Sequence, residues 1–214
     1  MTSTPELFWS PARQTPPTVL LAHGAGAGSE SEFQLQVAQG LAQHGLAVAR
    51  FDFPYMAKSR LDGRRRGPDP QPRLLEAMRA AAAATQCPPE QLVLAGKSMG
   101  GRMATMLADE LEVAGVIALG YPFHPPGQPE KLRTAHLETL QTPCLILQGE
   151  RDPFGTTAEV ATYPLSDQIE VRWLPDGDHS LKPRKKSGHS LEENLEAAIA
   201  AAVAFAHRAT TAQS

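Results

Sequence analysis

Ser98 lies in Gly96-Lys97-Ser98-Met99-Gly100, a G-x-S-x-G turn entered from the apolar run Leu92-Val93-Leu94-Ala95 and left through the small-residue stretch Gly101-Arg102-Met103-Ala104. A serine on so tight a strand-to-helix turn presents its hydroxyl outward, and glycines on either side leave room for the adjoining strand and helix. A hydroxyl is a weak nucleophile at neutral pH. It needs a base to take its proton and an acid behind that base to fix the tautomer, and on such a turn the chain order is Ser, acid, His. Asp152, in Gly149-Glu150-Arg151-Asp152-Pro153-Phe154-Gly155, follows the apolar run 143–147 and is the expected acid. Glu150 is the alternative; Pro153 removes a backbone donor and shapes the turn in favour of Asp152. His179, in Asp176-Gly177-Asp178-His179-Ser180, follows the last apolar run and is the expected base. Of the seven histidines, His44, His136 and His207 lie in helix-like stretches and His23 precedes the nucleophile, which leaves His189 and His124 as rivals. The chemistry such a set supports is acyl transfer to water.

That chemistry also needs donors for a developing oxyanion. The N–H of Met99, the residue after the nucleophile, is one. The other is expected in the glycine-rich turn His23-Gly24-Ala25-Gly26-Ala27-Gly28-Ser29, from Ala25 or alternatively Gly24, with His23 propping the loop through its ring nitrogens. A phosphate-binding reading of that turn fails on spacing, because the glycines alternate and no G-K-[ST] follows; Gly96-Lys97-Ser98 lacks the preceding G-x-x-x-x of a Walker loop.

Residues at these positions must be carried by a regular scaffold. Short apolar runs at 18–22, 46–51, 91–95, 114–119, 143–147 and 169–174 alternate with helix-like stretches at 32–43, 73–85, 101–110, 156–163 and 191–207. Repeated βα units predict an α/β fold of about six mostly parallel strands with helices on both faces. Candidate nucleophile, acid and base each follow a strand, so all fall on one sheet edge, where α/β proteins bind ligands. The two long connections, 54–72 and 121–142, the second with a helical piece near 130–140, are too short for a cap domain. The expected organisation is an N-terminal extension over 1–17, one domain over 18–208 and a C-terminal tail over 209–214.

The 214 residues are enough for a core without disulfides or metals. A net charge of -3 excludes a chain built overall to coat nucleic acid or an anionic membrane, and two cysteines, Cys87 and Cys144, are too few for a disulfide framework. No signal-like start and no 18-residue apolar window occur, so the expected location is the cytoplasm. No metal or organic cofactor is required by the chemistry.

Taken together, His23-Gly24-Ala25-Gly26, Phe51-Asp52-Phe53-Pro54, Gly96-Lys97-Ser98-Met99-Gly100-Gly101-Arg102, Gly120-Tyr121-Pro122-Phe123-His124-Pro125-Pro126-Gly127, the Gly149–Gly155 segment and Gly177-Asp178-His179 resemble the small bacterial α/β-hydrolases related to testis-expressed protein thirty and to the third subunit of the nonspecific-lethal acetyltransferase complex. The likeness covers nearly the whole chain after Pro17. A more distant likeness is to dienelactone hydrolases, which carry a cysteine where this chain has Ser98. The resemblance implies a minimal α/β-hydrolase fold with Ser98, Asp152 and His179 in the triad positions. It supplies no substrate, and because some members of that group act as scaffolds, a non-catalytic binding or scaffold protein is the competing reading.

Two basic clusters, Arg64-Arg65-Arg66 and Lys182 with Arg184-Lys185-Lys186, read either as solvated loop charge or, if they overhang the site, as a cationic rim for an anionic substrate, with Arg64 and Lys185 as its contacts. The segment Tyr121–Gly127, with Phe123 and His124, is expected either to form an acyl or aryl pocket with Phe154 opposite or, for Phe123 and Phe154, to pack inward as core. The expected partner is a small-molecule ester or thioester.

Overall fold

In a computed structural model that describes residues 4–10 and 17–211, the strand-forming runs assemble into one sheet. Its strands are β1 (Phe8–Trp9), β2 (Thr18–Ala22), β3 (Ala47–Phe51), β4 (Leu92–Lys97), β5 (Gly115–Leu119), β6 (Cys144–Gly149) and β7 (Ile169–Leu174), in the order β1-β3-β2-β4-β5-β6-β7. All neighbours are parallel except β1, which pairs antiparallel with β3. Every residue of β2 to β6 except Lys97 is buried, as strands covered on both faces must be. Strand β7 alternates, with Glu170 and Arg172 exposed, and these charges protect the open edge.

The pleat divides the core in two. On one face Val19, Leu21, Val93, Ala95, Ile117 and Leu145 meet α1 (Glu32–Gln43) and α6 (Leu191–Thr211) through Val37, Leu41, Ala198 and Phe205. On the other, Leu20, Leu94, Val116 and Ile146 meet α3 (Gln71–Ala84) and α4 (Met99–Leu107) through Met78, Ala81, Met103 and Leu107. Two further helices, α2 (Pro54–Asp62) and α5 (Thr157–Val160), lie in the connections after β3 and β6.

The structure adds to and corrects the sequence expectations. The seventh strand, β1, comes from the expected N-terminal extension; residues 1–3 and 11–16 of that extension lie outside the described residues. Helix α6 runs on to Thr211, through the expected tail, because Phe205 and Ala209 pack closely over Gly115; residues 212–214 lie outside the described residues. The first long connection contains α2, which Pro54 opens at a position needing no N–H and Gly63 closes with φ +67. The helical piece expected near 130–140 is only a 3-10 turn, Ala135–Leu137. Its backbone bonds neighbouring loops instead of its own next turn: Arg133 N–H donates to Phe123, and the Leu137 carbonyl accepts from Ser166. The stretch 156–163 shortens to α5, one helical turn opened by Thr156, whose N–H is capped by the Glu159 carboxylate at 2.8 Å. No helix among the described residues is long and apolar enough to cross a membrane.

Candidate active site

Strand β4 delivers Ser98 to the sheet edge and α4 leaves it at once, which forces Ser98 to φ 50, ψ -112. A side chain in that region is strained and persists only where its surroundings hold it. Those surroundings are backbone atoms at close range. A Cβ at Gly96 would lie 2.7 Å from the Gly100 carbonyl oxygen, and one at Gly100 would lie 2.6 Å from the His23 carbonyl oxygen. The Ser98 N–H is anchored to the Leu119 carbonyl of β5 at 3.0 Å.

Asp152 and His179 follow β6 and β7, and the structure joins them to Ser98. His179 Nε2 is 2.9 Å from Ser98 Oγ, and His179 Nδ1 is 2.8 Å from Asp152 Oδ2. A carboxylate only accepts, so Nδ1 carries the proton and Nε2 is left to accept from the serine hydroxyl. Asp152 has no exposed surface. Its remaining lone pairs take Gln148 Nε2 at 2.9 Å and the Phe154 N–H at 2.9 Å, which is how a buried carboxylate is held in place. Gln148 is itself fixed, because its Oε1 accepts the Tyr121 N–H at 2.7 Å. Phe154 stacks on the His179 ring, centroids 4.1 Å apart, and the imidazole remains only 23% exposed.

The alternatives lie elsewhere. Glu150 accepts the Asp176 N–H at 2.8 Å and shapes the neighbouring turn; His189 is exposed on a loop; His124 is buried, with Nδ1 at 2.9 Å from the Pro125 carbonyl and Nε2 at 3.6 Å from Glu159.

Ala25 and Gly24 line the same cavity as Ser98, and Met99 opens α4, so its N–H has no partner within the helix. The loop holding Ala25 is pinned from below. His23 Nε2 accepts the Phe53 N–H at 3.0 Å, so Nδ1 is the protonated nitrogen that donates to the Gly24 carbonyl at 2.7 Å. Burial lowers the His23 pKa, keeping the ring in this neutral form. Tyr55 donates to the Gly24 and Ala25 carbonyls at 3.2 and 3.0 Å, and Asp52 accepts the Ser29 N–H at 2.8 Å.

The cavity beside Ser98 is open and measures about 390 Å³. Gly24 to Ala27 form one wall, Ser31, Phe33 and Gln34 a second, and Lys97, Phe154, His179 and Ser180 the rest. A larger cavity of about 540 Å³, between the N-terminal segment, α2 and α3, contains none of the three linked residues and has no bearing on their chemistry. Four residues expected to touch substrate do not line the cavity at Ser98. Phe123 is fully buried against Tyr121 and Tyr163, at 4.8 and 5.7 Å between centroids, and His124 is 2% exposed. Arg64 and Lys185 are exposed on outer loops, and the clusters around them are partly neutralised by the Arg66–Asp62 and Arg184–Asp176 pairs. Among the described residues no group of three or more His, Cys, Asp or Glu is placed to hold a metal ion. Both cysteines are free, and burial pushes the Cys144 thiol up to about 12.

Sequence reasoning missed Gln148, Tyr55 and Lys97. A polar residue ending an otherwise apolar strand, as in Leu145-Ile146-Leu147-Gln148, was the available signal for the first. Nothing local marks Tyr55, whose partners lie about 30 residues away.

The sequence pattern of the family described as "Alpha/beta hydrolase domain" matches residues 15–207. Among solved structures, a lidless serine hydrolase from Xanthomonas campestris superposes with a TM-score of 0.69 at 20% identity, covering 92% of this chain and 87% of the other. A serine hydrolase homologue from Coxiella burnetii gives 0.68 at 18%, covering 94% and 90%. A dienelactone hydrolase from Anabaena variabilis gives 0.67 at 21%, covering 92% and 97%. At such identities these likenesses speak for the fold, while the family pattern extends over nine-tenths of the sequence. The chain belongs to the alpha/beta hydrolase family.

Proposed function

We propose that the protein is a serine hydrolase that cleaves a carboxylic ester or thioester of a small molecule through an acyl-enzyme. The single observation that carries this reading is the unbroken hydrogen-bonded chain from Ser98 Oγ through His179 to the buried Asp152. In the first half-reaction Ser98 Oγ attacks the carbonyl carbon and its proton passes to His179 Nε2. Asp152 holds the imidazole and stabilises the imidazolium that forms. The N–H groups of Met99 and Ala25 receive the oxyanion, each such donor contributing about a hundredfold to a thousandfold in rate. The imidazolium protonates the departing alkoxide or thiolate. In the second half, water gives a proton to His179 as it attacks the acyl carbon, and the imidazolium returns that proton to Ser98 Oγ as the acyl–oxygen bond breaks and the carboxylic acid departs.

A cavity of about 390 Å³ suits a small acyl or alcohol portion, and its Gly, Ala and Phe walls suit an apolar one. Solved structures of the same fold include an esterase domain from Rhodothermus marinus and a dienelactone hydrolase, which agrees with a carboxylic carbonyl as the target. Within the family, the proposed kin are the small bacterial members related to testis-expressed protein thirty and nonspecific-lethal complex subunit three, on the strength of the segments around Tyr121 and Asp152. A fluorophosphonate probe should label the native protein at Ser98, and Ser98→Ala should abolish labelling and turnover of short p-nitrophenyl esters. Absence of labelling in folded wild-type protein overturns the enzyme reading in favour of a binding or scaffold role.

A further inference from the structure

A cation lies beneath the His179 loop, and the acyl-transfer steps do not use it. Lys97 ends β4, and its side chain shares the sheet face of Val93 and Ala95, which α1 and α6 cover. Its ammonium lies 5.8 Å from the centre of the Phe33 ring and donates to the backbone carbonyl of His179. Asp152 and Asp178 act on this charge, yet its hydrogen bond goes to neither carboxylate. Around it α1 brings Phe33, the loop after β2 brings Gly24 and the end of β5 brings Gly120, while the titratable groups facing it are the His179 imidazole and the carboxylates of Asp152 and Asp178.

Gly120 makes this contact possible. Its φ is +66, and a Cβ there would lie 2.8 Å from the His179 carbonyl oxygen, 2.9 Å from Lys97 Nζ and 3.3 Å from His179 Nδ1. Any side chain at that position therefore pushes into the Lys97–His179 contact and toward the imidazole itself. Burial, which outweighs the attraction of the two carboxylates, brings the Lys97 ammonium down to about 8. A half-buried charge held at such a cost does not serve stability, since an apolar chain of similar length would fit there more cheaply.

Resting on the hydrolase reading above, we propose that Lys97 is a positioning residue, which by donating to the His179 carbonyl in the space Gly120 leaves open holds the imidazole in line between Asp152 and Ser98. The backbone of His179 is the only part of that residue free to be gripped, because both ring nitrogens are committed to Ser98 and Asp152. Gripping it from below fixes the ring without competing for either nitrogen.

The test compares wild type, Lys97→Met, Lys97→Arg and Gly120→Ala for hydrolysis of p-nitrophenyl acetate, for the rate of fluorophosphonate labelling, and for Tm. Lys97→Met should lower kcat at least tenfold with KM within twofold, slow labelling equally, and leave Tm at or above that of wild type. Lys97→Arg, which keeps a charged donor, should recover kcat to within threefold. The pH profile separates positioning from packing. Wild-type kcat should fall several-fold between pH 8 and 9.5 as the ammonium loses its proton and becomes a weaker donor, whereas Lys97→Arg should hold its plateau. Gly120→Ala should also lose kcat, but its Cβ presses on the imidazole as well as on the contact, so if Lys97→Met does not fold the idea is tested by the pH profiles of wild type and Lys97→Arg, and equal falls above pH 8 in both overturn it. The proposal is overturned if folded Lys97→Met turns over within twofold of wild type, or if its loss merely tracks a fall in Tm that Lys97→Arg shares. If wild type neither labels nor turns over, the hydrolase reading fails first and this proposal falls with it; an active wild type with unaffected variants overturns the proposal alone.

Discussion

Asp152→Asn changes one atom of the side chain, and the surroundings decide what that atom does. The native carboxylate faces donors only: His179 Nδ1–H and Gln148 Nε2 at Oδ2, and the Phe154 N–H at Oδ1. An amide must turn its NH₂ toward one of these sets. Toward Oδ1 it meets the Phe154 N–H, a donor against a donor. Toward Oδ2 it meets the Gln148 amide, which cannot flip because its oxygen is engaged by the Tyr121 N–H. It also makes His179 accept at Nδ1, which places the remaining ring proton on Nε2, pointing at Ser98, and the serine loses its base. In the first orientation the tautomer survives, but the negative charge that stabilises the imidazolium is gone. Either way the loss falls on the transition state. We expect kcat/KM for p-nitrophenyl acetate at pH 7.5 to drop about 10³- to 10⁴-fold, about 4–5.5 kcal/mol, with KM nearly unchanged. One buried donor left unpaired should in addition cost about 1–3 kcal/mol of stability in urea titrations. A variant that folds and keeps kcat/KM within tenfold of wild type would refute the role assigned to Asp152, and with it the tautomer argument.

Three further outcomes follow from the geometry. Tyr55→Phe removes the hydroxyl that pins the Gly24 and Ala25 carbonyls, so kcat should fall about tenfold, less than loss of a direct oxyanion donor, with KM unchanged; an unaffected kcat would detach the loop from oxyanion binding. His136 is held neutral by burial and by Arg102, its pKa brought down to about 4. The unfolded chain therefore binds a proton between pH 6.5 and 4 that the folded chain refuses, and stability should decline by about 1–2 kcal/mol as pH falls through that window, the partly exposed ring being screened by solvent, a decline that His136→Gln should flatten in denaturant titrations. Arg64→Ala with Lys185→Ala should leave kcat/KM for anionic and neutral esters within twofold of wild type at low salt, because both side chains stand clear of the cavity at Ser98; a selective loss for anionic esters would restore the cationic rim.

The parts of this molecule that were legible in sequence are those whose cause is local. Strands β2 to β6 announce themselves because burial on both faces demands continuous apolar runs, and the turn at Ser98 does so because two glycines must avoid backbone atoms of β2 and α4. Asp152 and His179 were readable from their position after strands, since a parallel sheet brings all its carboxyl ends to one edge. The short β1 was not readable: two residues, Phe8 and Trp9, carry no periodicity, and their pairing depends on β3 about 40 residues away. The 3-10 turn at Ala135–Leu137 misled for a related reason. Its apolar spacing suits a helix, but Leu137 and Leu140 are buried in a loop whose carbonyls and N–H groups are taken by other loops.

The cations show how far residue type alone can carry a functional argument. Reading charge from sequence favours clusters, and the clusters at 64–66 and 182–186 are exposed and partly spent on Asp62 and Asp176. An isolated lysine inside a glycine turn attracts no notice, yet Lys97 is the charged side chain that reaches the wall of the cavity at Ser98 and the carbonyl of His179. The difference is one of dielectric. A solvated arginine about 10 Å or more from the reacting carbon is screened by salt to a small fraction of its bare field, whereas a half-buried ammonium is screened far less in its action on the few groups it touches. A charge with that placement has a positional role or an electrostatic one, and its hydrogen bond to a carbonyl instead of to Asp152 or Asp178 favours the positional one. Lys97→Arg keeps the charge and alters only the shape of the donor, so the rate it retains measures how much of the effect is charge and how much is fit.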